Sequence, residues 1–204
     1  MAVVALLIYA LWTLLAFGLR MWVHHRRTGD TGLRLASTGK GSPQWWAGML
    51  FTASLVTGAA GTVAALAGFD PIAALDQEAV HSLGIVIAVL GMAGTLTTQL
   101  AMGDSWRIGV DTAERTTLVT GGPFRWVRNP IFTAMTTTVL GLVLMVPNPV
   151  TVAGIAAVAI ALQVQVRGIE EPYLGRLHGT AYHHYAATTG RFLPGIGRVP
   201  SRSH

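Results

Sequence analysis

Five apolar runs, each near the length needed to cross a bilayer, constrain what this chain can fold into. They lie at residues 2–23, 44–67, 79–102, 129–146 and 150–167. A hydrocarbon core of roughly 30 Å takes about 20 apolar residues in helical form. Helices suit the task because they satisfy every backbone N–H and C=O within the segment. Composition points the same way: 11% of the residues are charged, against about a quarter in soluble domains. The expected fold is all-α, a polytopic integral membrane protein with five transmembrane helices in a single membrane domain over residues 1–204. A cleaved leader is the rival reading of the first run. Leaders carry basic residues ahead of the apolar stretch, whereas Arg26 and Arg27 follow it here, so a retained helix is expected.

Punctuation between the runs refines this picture. Pro147-Asn148-Pro149 leaves room only for a tight turn, so the last two spans should form an antiparallel hairpin. Gly48, Gly58 and Gly61 in the second run, and Gly84, Gly91 and Gly94 in the third, suit close helix packing. Trp45-Trp46 fits the headgroup level. Beyond Arg167 the chain turns polar, and Pro172 predicts a break. Leu174, Leu177, Ala181, Tyr182 and Tyr185 then fall at helical spacing, predicting a cytoplasmic amphipathic helix over Tyr173–Ala187.

Charge sets the expected orientation. All 14 Lys and Arg lie in or beside three places: the 24–43 loop, the 103–127 loop and the C-terminal region. The third loop also carries Asp104, Asp111 and Glu114. The 68–78 loop holds Asp70, Asp76 and Glu78 with no basic residue. By the positive-inside rule the N-terminus is outside and the C-terminus cytoplasmic, as in a bacterial-type plasma membrane. The net charge of +5 is thereby accounted for by a membrane partner, and no nucleic acid is expected. The chain has no cysteine, which excludes disulfides, thiolate metal sites and cysteine nucleophiles.

The most unusual stretch is Gly121-Gly122-Pro123-Phe124-Arg125-Trp126-Val127-Arg128-Asn129-Pro130-Ile131-Phe132. It sets two arginines and a Gly-Gly-Pro turn against an apolar run. Asn129 is a favourable N-cap and Pro130 suits the first helical position. A helix N-terminus beside Arg125 and Arg128 should accept an anion. Glu170-Glu171 is the second constellation, since paired carboxylates at the end of a membrane helix are costly unless solvated or paired. One acid would take a cationic or hydroxyl-rich ligand while the other pairs with an arginine such as Arg128 or Arg167. No metal is expected, because His178, His183 and His184 do not share a helical face with one another.

These residues resemble a known family. Gly122-Pro123-Phe124-Arg125-x-x-Arg128-Asn129-Pro130-x-Phe132 resembles the Gly-Pro-Tyr-Arg-x-x-Arg-His-Pro-x-Tyr motif of the isoprenylcysteine carboxyl methyltransferases. These enzymes, and the related phospholipid methyltransferases, are integral membrane proteins that use S-adenosylmethionine. Glu170-Glu171, Leu174, Gly179, Tyr182, Tyr185 and Phe192-Leu193-Pro194 resemble the second half of that signature. The resemblance implies an integral membrane methyltransferase with a cytoplasmic S-adenosylmethionine site within about residues 103–196. It also implies lateral access for a lipophilic or lipid substrate from the bilayer, methylated on a carboxylate, an amine or a hydroxyl.

Carried onto this chain, the catalytic candidates are Arg128, Asn129, Glu170 and Arg191. The cofactor-binding candidates are Gly122, Pro123, Phe124, Arg125, Asn129, Pro130, Phe132, Glu170, Glu171, Tyr182, Tyr185, Leu193 and Pro194. Two positions depart from the pattern: Asn129 replaces His and Phe132 replaces Tyr. Asn can hydrogen-bond but takes up no proton near neutral pH. A basic residue that often follows the second Tyr is also missing, and Arg191 is the candidate to grip a substrate in its place. Glu170→Ala and Arg128→Ala are each expected to weaken cofactor binding without unfolding the protein. Two other readings fit the same residues. One is a sterol-reductase-like oxidoreductase with a nicotinamide cofactor. The other is a non-catalytic membrane subunit with the same fold.

Overall fold

The computed structural model describes residues 1–34, 39–110 and 115–199. Asp111 and Glu114, and the tail from residue 200 on, lie outside the described residues. The chain forms α1 (Ala2–Thr28), α2 (Pro43–Leu66), α3 (Glu78–Met102), α4 (Pro130–Met145), α5 (Pro149–His178) and α6 (Thr180–Thr188). Short 3₁₀ turns occupy Gly103–Ser105 and Gly122–Arg125. The described residues contain isolated β-bridges and no named strand. Among the described residues four helices, α1, α2, α3 and α5, are long and apolar enough to cross a membrane, and the protein is an integral membrane protein. α4 is apolar but has 16 residues, which at 1.5 Å per residue reaches about 24 Å.

α4 is nevertheless the central helix. Met135, Val139, Leu142 and Met145 are buried in one cluster with Tyr9, Trp12 and Ala16 of α1, Ala88 of α3, and Val158 and Leu162 of α5. Glycine makes its approach to α3 possible. A Cβ on Gly84 would lie 2.7 Å from the Gly141 carbonyl, and one on Gly91 would collide with the Thr138 backbone nitrogen. Lipid tails are as apolar as leucine, so helices in a bilayer associate through such close backbone packing. α2 meets α5 in the same way. A Cβ on Gly61 would lie 3.0 Å from Thr151 Cα.

The Pro147-Asn148-Pro149 turn is fixed by its central residue. Asn148 Oδ1 accepts from the Val150 and Thr151 backbone N–H groups, each at 3.0 Å. Thr151 Oγ1 accepts from the Asn148 N–H at 3.0 Å, closing a capping box. Asn148 Nδ2 donates to the Gly61 carbonyl at 3.0 Å, tying the hairpin to α2. At this end of the bundle, Ile72 N–H donates to the Pro147 carbonyl at 2.6 Å, so the acidic 68–78 loop lies beside the turn. At the opposite end, Arg34 N–H donates to Ile108 O and Ile108 N–H to Gly32 O, both at 2.8 Å. That joins the first and third loops, and the C-terminal segment adds itself through a bridge between Val127 and Gly190. The basic segments thus collect at one end.

The C-terminal helices differ from the sequence expectation. Pro172 does not break the chain. α5 runs on to His178, and Val166–Glu170 winds as a π turn just before the proline. Pro lacks an N–H and crowds the carbonyl four residues back, and the wider turn relieves both conflicts. The break comes at Gly179, whose φ of +52° and ψ of −127° favour glycine. The single helix expected over Tyr173–Ala187 is therefore split between the end of α5 and α6.

Candidate functional site

Glu171 is the hub of the basic end. Its Oε1 accepts from Arg128 Nη2 and from Arg191 Nε, each at 2.7 Å, and its Oε2 accepts from Arg191 Nη2 at 2.8 Å. Arg128 is buried and nearly saturated. Its Nη1 donates to the carbonyls of Ala186 (3.0 Å) and Thr189 (2.5 Å), and its Nη2 also donates to that of Gly197 (3.0 Å). Only Nε lacks a partner. One guanidinium therefore gathers the end of α6 and the segment after it onto the start of α4.

Backbone pairing extends the clasp. Arg128 N–H donates to Gly190 O at 2.8 Å and Asn129 N–H to Arg191 O at 3.1 Å. Asn129 Nδ2 donates to the same Arg191 carbonyl at 3.2 Å, and Thr133 Oγ1 to Phe192 O at 2.7 Å. Pro130 does occupy the first helical position, but Asn129 makes no side-chain cap. Arg128 and Asn129 are engaged by the returning chain, whose carbonyls accept from both residues.

Beside the clasp lies a cavity of about 160 Å³ at the N-terminal end of α4. A single water needs roughly 10–15 Å³ on this measure, so the space admits an organic ligand. Its apolar depth is lined by Phe17 of α1, Gly48 and Phe51 of α2, and Met135 of α4. Its polar rim comes from loop residues 105–110 and 116–119 and from α5. A second, polar cleft adjoins it and shares Ser105, Trp106, Arg107 and Thr116.

Of the residues expected at the site, Phe124, Arg128, Asn129, Pro130, Phe132, Glu170, Glu171, Tyr182 and Tyr185 line the cavity. Gly122, Pro123, Arg125, Arg191, Leu193 and Pro194 do not. Arg125 is exposed, with its guanidinium 4.8 Å from the centre of the Trp126 ring. Leu193 is exposed as well. Arg191, the candidate to grip a substrate, spends its fork on Glu171.

The two adjacent acids separate cleanly. Glu171 turns to the arginines, while Glu170 accepts from Gln165 Nε2 at 3.1 Å across five residues. A π turn brings residues at that spacing toward one face, and such turns recur at functional sites. Tyr182 and Tyr185 form the opposite wall from α6. Tyr185 Oη donates to Phe124 O at 2.5 Å, holding the 3₁₀ turn against the helix. Burial pushes the Tyr185 phenol up to about 12. Tyr182 is also pushed up, first by burial and then by the negative charge of Glu171. Arg191 is raised by its hydrogen bond to Glu171.

Sequence reasoning missed three polar contributors. Gln99 is buried in α3. Its Nε2 donates to Ala16 O at 2.9 Å, and its Oε1 is left without a partner at the cavity wall. Arg107 Nη1 is likewise buried and unpartnered. Gln165 lies within the apolar span 150–167. A buried Gln or Gln-x-Arg in such a run was the available signal, since polar groups inside membrane helices are costly.

The family model described as phospholipid methyltransferase matches residues 79–181. No curated protein sequence matches the chain. Among solved structures, a similar fold occurs in a eukaryotic intramembrane Ras methyltransferase, isoprenylcysteine carboxyl methyltransferase. The TM-score is 0.65 and the identity 21%, over 95% of this chain and 66% of that one. The likeness at that identity is one of fold, and this chain spans just under two thirds of the larger protein's length.

Proposed function

The chain belongs to the phospholipid methyltransferase family, and on that premise we propose that it transfers a methyl group from S-adenosylmethionine to a lipophilic acceptor drawn from the bilayer, on a carboxylate, amine or hydroxyl. The observation that carries this reading is the cavity itself. Both halves of the family signature wall it, with Phe124, Asn129 and Phe132 on one side and Glu170, Tyr182 and Tyr185 on the other. Its apolar end lies among membrane helices and its polar end among basic-side loops.

The residues present fit a cofactor with a charged amino-acid end and a polar nucleoside. Glu170 offers a carboxylate that no arginine holds. The unpartnered Gln99 Oε1 offers an acceptor. The cofactor supplies a methyl group on a sulfonium, an electrophile that needs no metal or protein nucleophile. What the chain contributes is alignment, which can supply several kcal/mol toward a displacement, and exclusion of water. Phe124, Tyr173, Tyr182 and Tyr185 are buried around the cavity, so the reacting groups meet in a dry space. Loss of the sulfonium charge on transfer suits that environment. Asn129 donates to Arg191 O and supplies no base at neutral pH, which fits a carboxylate acceptor or an acceptor that loses its proton to water.

In this reading the basic end of the bundle faces the cytoplasm and the N-terminus lies outside. The short α4 makes a fifth crossing, shielded by the longer helices around it. Its shortness leaves the cavity its room.

Calorimetry on the purified protein in detergent tests the proposal. S-adenosylmethionine or S-adenosylhomocysteine should bind and a nicotinamide cofactor should not. Glu170→Gln should weaken S-adenosylhomocysteine by roughly 10–100-fold, the worth of a hydrogen bond to a charged group, with the melting temperature little changed. Failure of the wild-type protein to bind either sulfur compound would overturn the reading. Incubating membranes with methyl-labelled cofactor and identifying the labelled lipid would name the acceptor.

A further inference from the structure

We propose that Arg107 is the oxyanion-binding residue of this cavity, receiving either the α-carboxylate of the cofactor or an acidic head on the lipophilic acceptor. Arg128, the arginine the family pattern puts forward, has four of its five N–H directions engaged by Ala186, Thr189, Glu171 and Gly197. Arg191 is held by both oxygens of Glu171 and lies off the cavity. Arg107 lines the cavity with no ion pair or hydrogen bond among the described residues, and its Nη1 is buried. A buried, unpaired guanidinium nitrogen is costly to maintain. The cost is removed when a ligand oxyanion occupies the site.

Geometry supports the assignment. The Arg107 guanidinium lies 5.6 Å from the centre of the Tyr173 ring, a cation–π contact that consumes no donor. Tyr173 follows Glu170 and Glu171 on α5, so the cation stands on the wall that carries the unclaimed carboxylate. Glu170 and Arg107 face one cavity without pairing within 4.0 Å. A zwitterionic amino-acid end would satisfy both groups at once. Arg107 also lines the adjoining polar cleft, together with His24, Asp104 and Arg115. An acidic amphiphile would place its head there and its chain toward Phe17 and Phe51. Both sources present the same chemistry, a planar or tetrahedral oxyanion that a guanidinium fork grips well.

The cofactor source rests on the methyltransferase reading, whereas the lipid source does not, and the experiment separates them. Full-length wild type, Arg107→Gln and Arg107→Lys are purified in detergent and titrated by calorimetry. The ligands are S-adenosylhomocysteine, its decarboxylated analogue, and oleate against oleyl alcohol. If the cofactor carboxylate is the ligand, Arg107→Gln weakens S-adenosylhomocysteine by roughly 10–100-fold. The decarboxylated analogue is weaker to begin with and loses nothing further. If the acceptor head is the ligand, S-adenosylhomocysteine is unaffected and the preference for oleate over oleyl alcohol disappears. In either case Arg107→Lys recovers part of the loss by keeping the charge. Equal weakening of acid and decarboxylated or alcohol ligands would mark a structural residue and overturn the proposal, as would unchanged affinity throughout. A wild-type protein that binds no S-adenosylhomocysteine but discriminates oleate through Arg107 would sink the methyltransferase reading and leave this one standing.

Discussion

Replacing Glu171 by Gln should open the C-terminal clasp while leaving the helix bundle folded. The side chain keeps its shape but loses its charge, and two guanidiniums remain around a neutral amide. Arg128 is the more affected partner, because its side chain is 2% exposed and that of Glu171 14%. Breaking one side of a buried ion pair costs about 3–5 kcal/mol. The lower figure applies here, since Arg191 and Glu171 retain contact with solvent and Arg128 keeps three carbonyl acceptors. About 3 kcal/mol corresponds to roughly a 100-fold increase in the open population. Amide hydrogen exchange reads this directly. The Arg128 and Asn129 N–H groups donate to Gly190 and Arg191, so both should lose about 100-fold in protection. Amides inside α3 and α5 should be unchanged. Protection within threefold of wild type would refute the view that Glu171 holds the clasp. A direct loss of cofactor affinity with protection intact would return Glu171 to the role of ligand. The same reasoning revises the expectation for Arg128→Ala. That change leaves the buried carbonyls of Ala186 and Thr189 without their donor and takes one of the two guanidiniums from Glu171, so it should destabilise the fold and not merely weaken binding.

Two further outcomes follow from the packing and the tyrosines. Tyr185 has its pKa pushed up from 10.0 to about 12, so the folded state holds that proton more tightly than the unfolded chain does. Its stabilisation is complete below about pH 10 and is lost as pH rises toward 12, and Tyr182, shifted in the same direction, adds to the loss. Thermal melts from pH 8 to 12 should show this alkaline decline. Tyr185→Phe should start about 1 kcal/mol less stable through its lost hydrogen bond to Phe124 O and fall less steeply; an equally steep fall would sink the assignment. At the α3–α4 contact, Gly91→Ala drives a Cβ into the Thr138 backbone, whereas a Cβ on Gly94 meets only the Ala134 Cβ at 3.2 Å. Gly91→Ala should therefore abolish monodisperse protein on size exclusion in detergent while Gly94→Ala is recovered near wild-type yield. Equal yields would contradict the close approach of the two helices.

The gap between sequence and structure at the site has a definite physical origin. Apolar length, Gly spacing and the Asn-Pro helix start are local properties, legible one segment at a time, and the hairpin turn at Asn148 is another of the same kind. Pairing of arginines is not local. Arg128, Arg191 and Glu171 are separated by 43 and 20 residues. A motif that names all three cannot say which of them neutralise one another and which are left for a ligand. The returning chain decides that: the carbonyls of Ala186, Thr189 and Gly197 take the Arg128 guanidinium and that of Arg191 takes Asn129, contacts that no periodicity foretold. Glu170 and Glu171 make the same point at one peptide's distance. The sequence treats them as a pair, and the π turn at Val166–Glu170 separates them, directing one to Gln165 and the other to the arginines. A site of this family is therefore better sought in polar groups that remain unsatisfied after folding than in the motif's charged residues as such. In this chain that criterion points to Gln99 and Arg107, whose buried atoms lack partners, whereas Arg128 and Arg191 are paired with Glu171 and Glu170 accepts from Gln165.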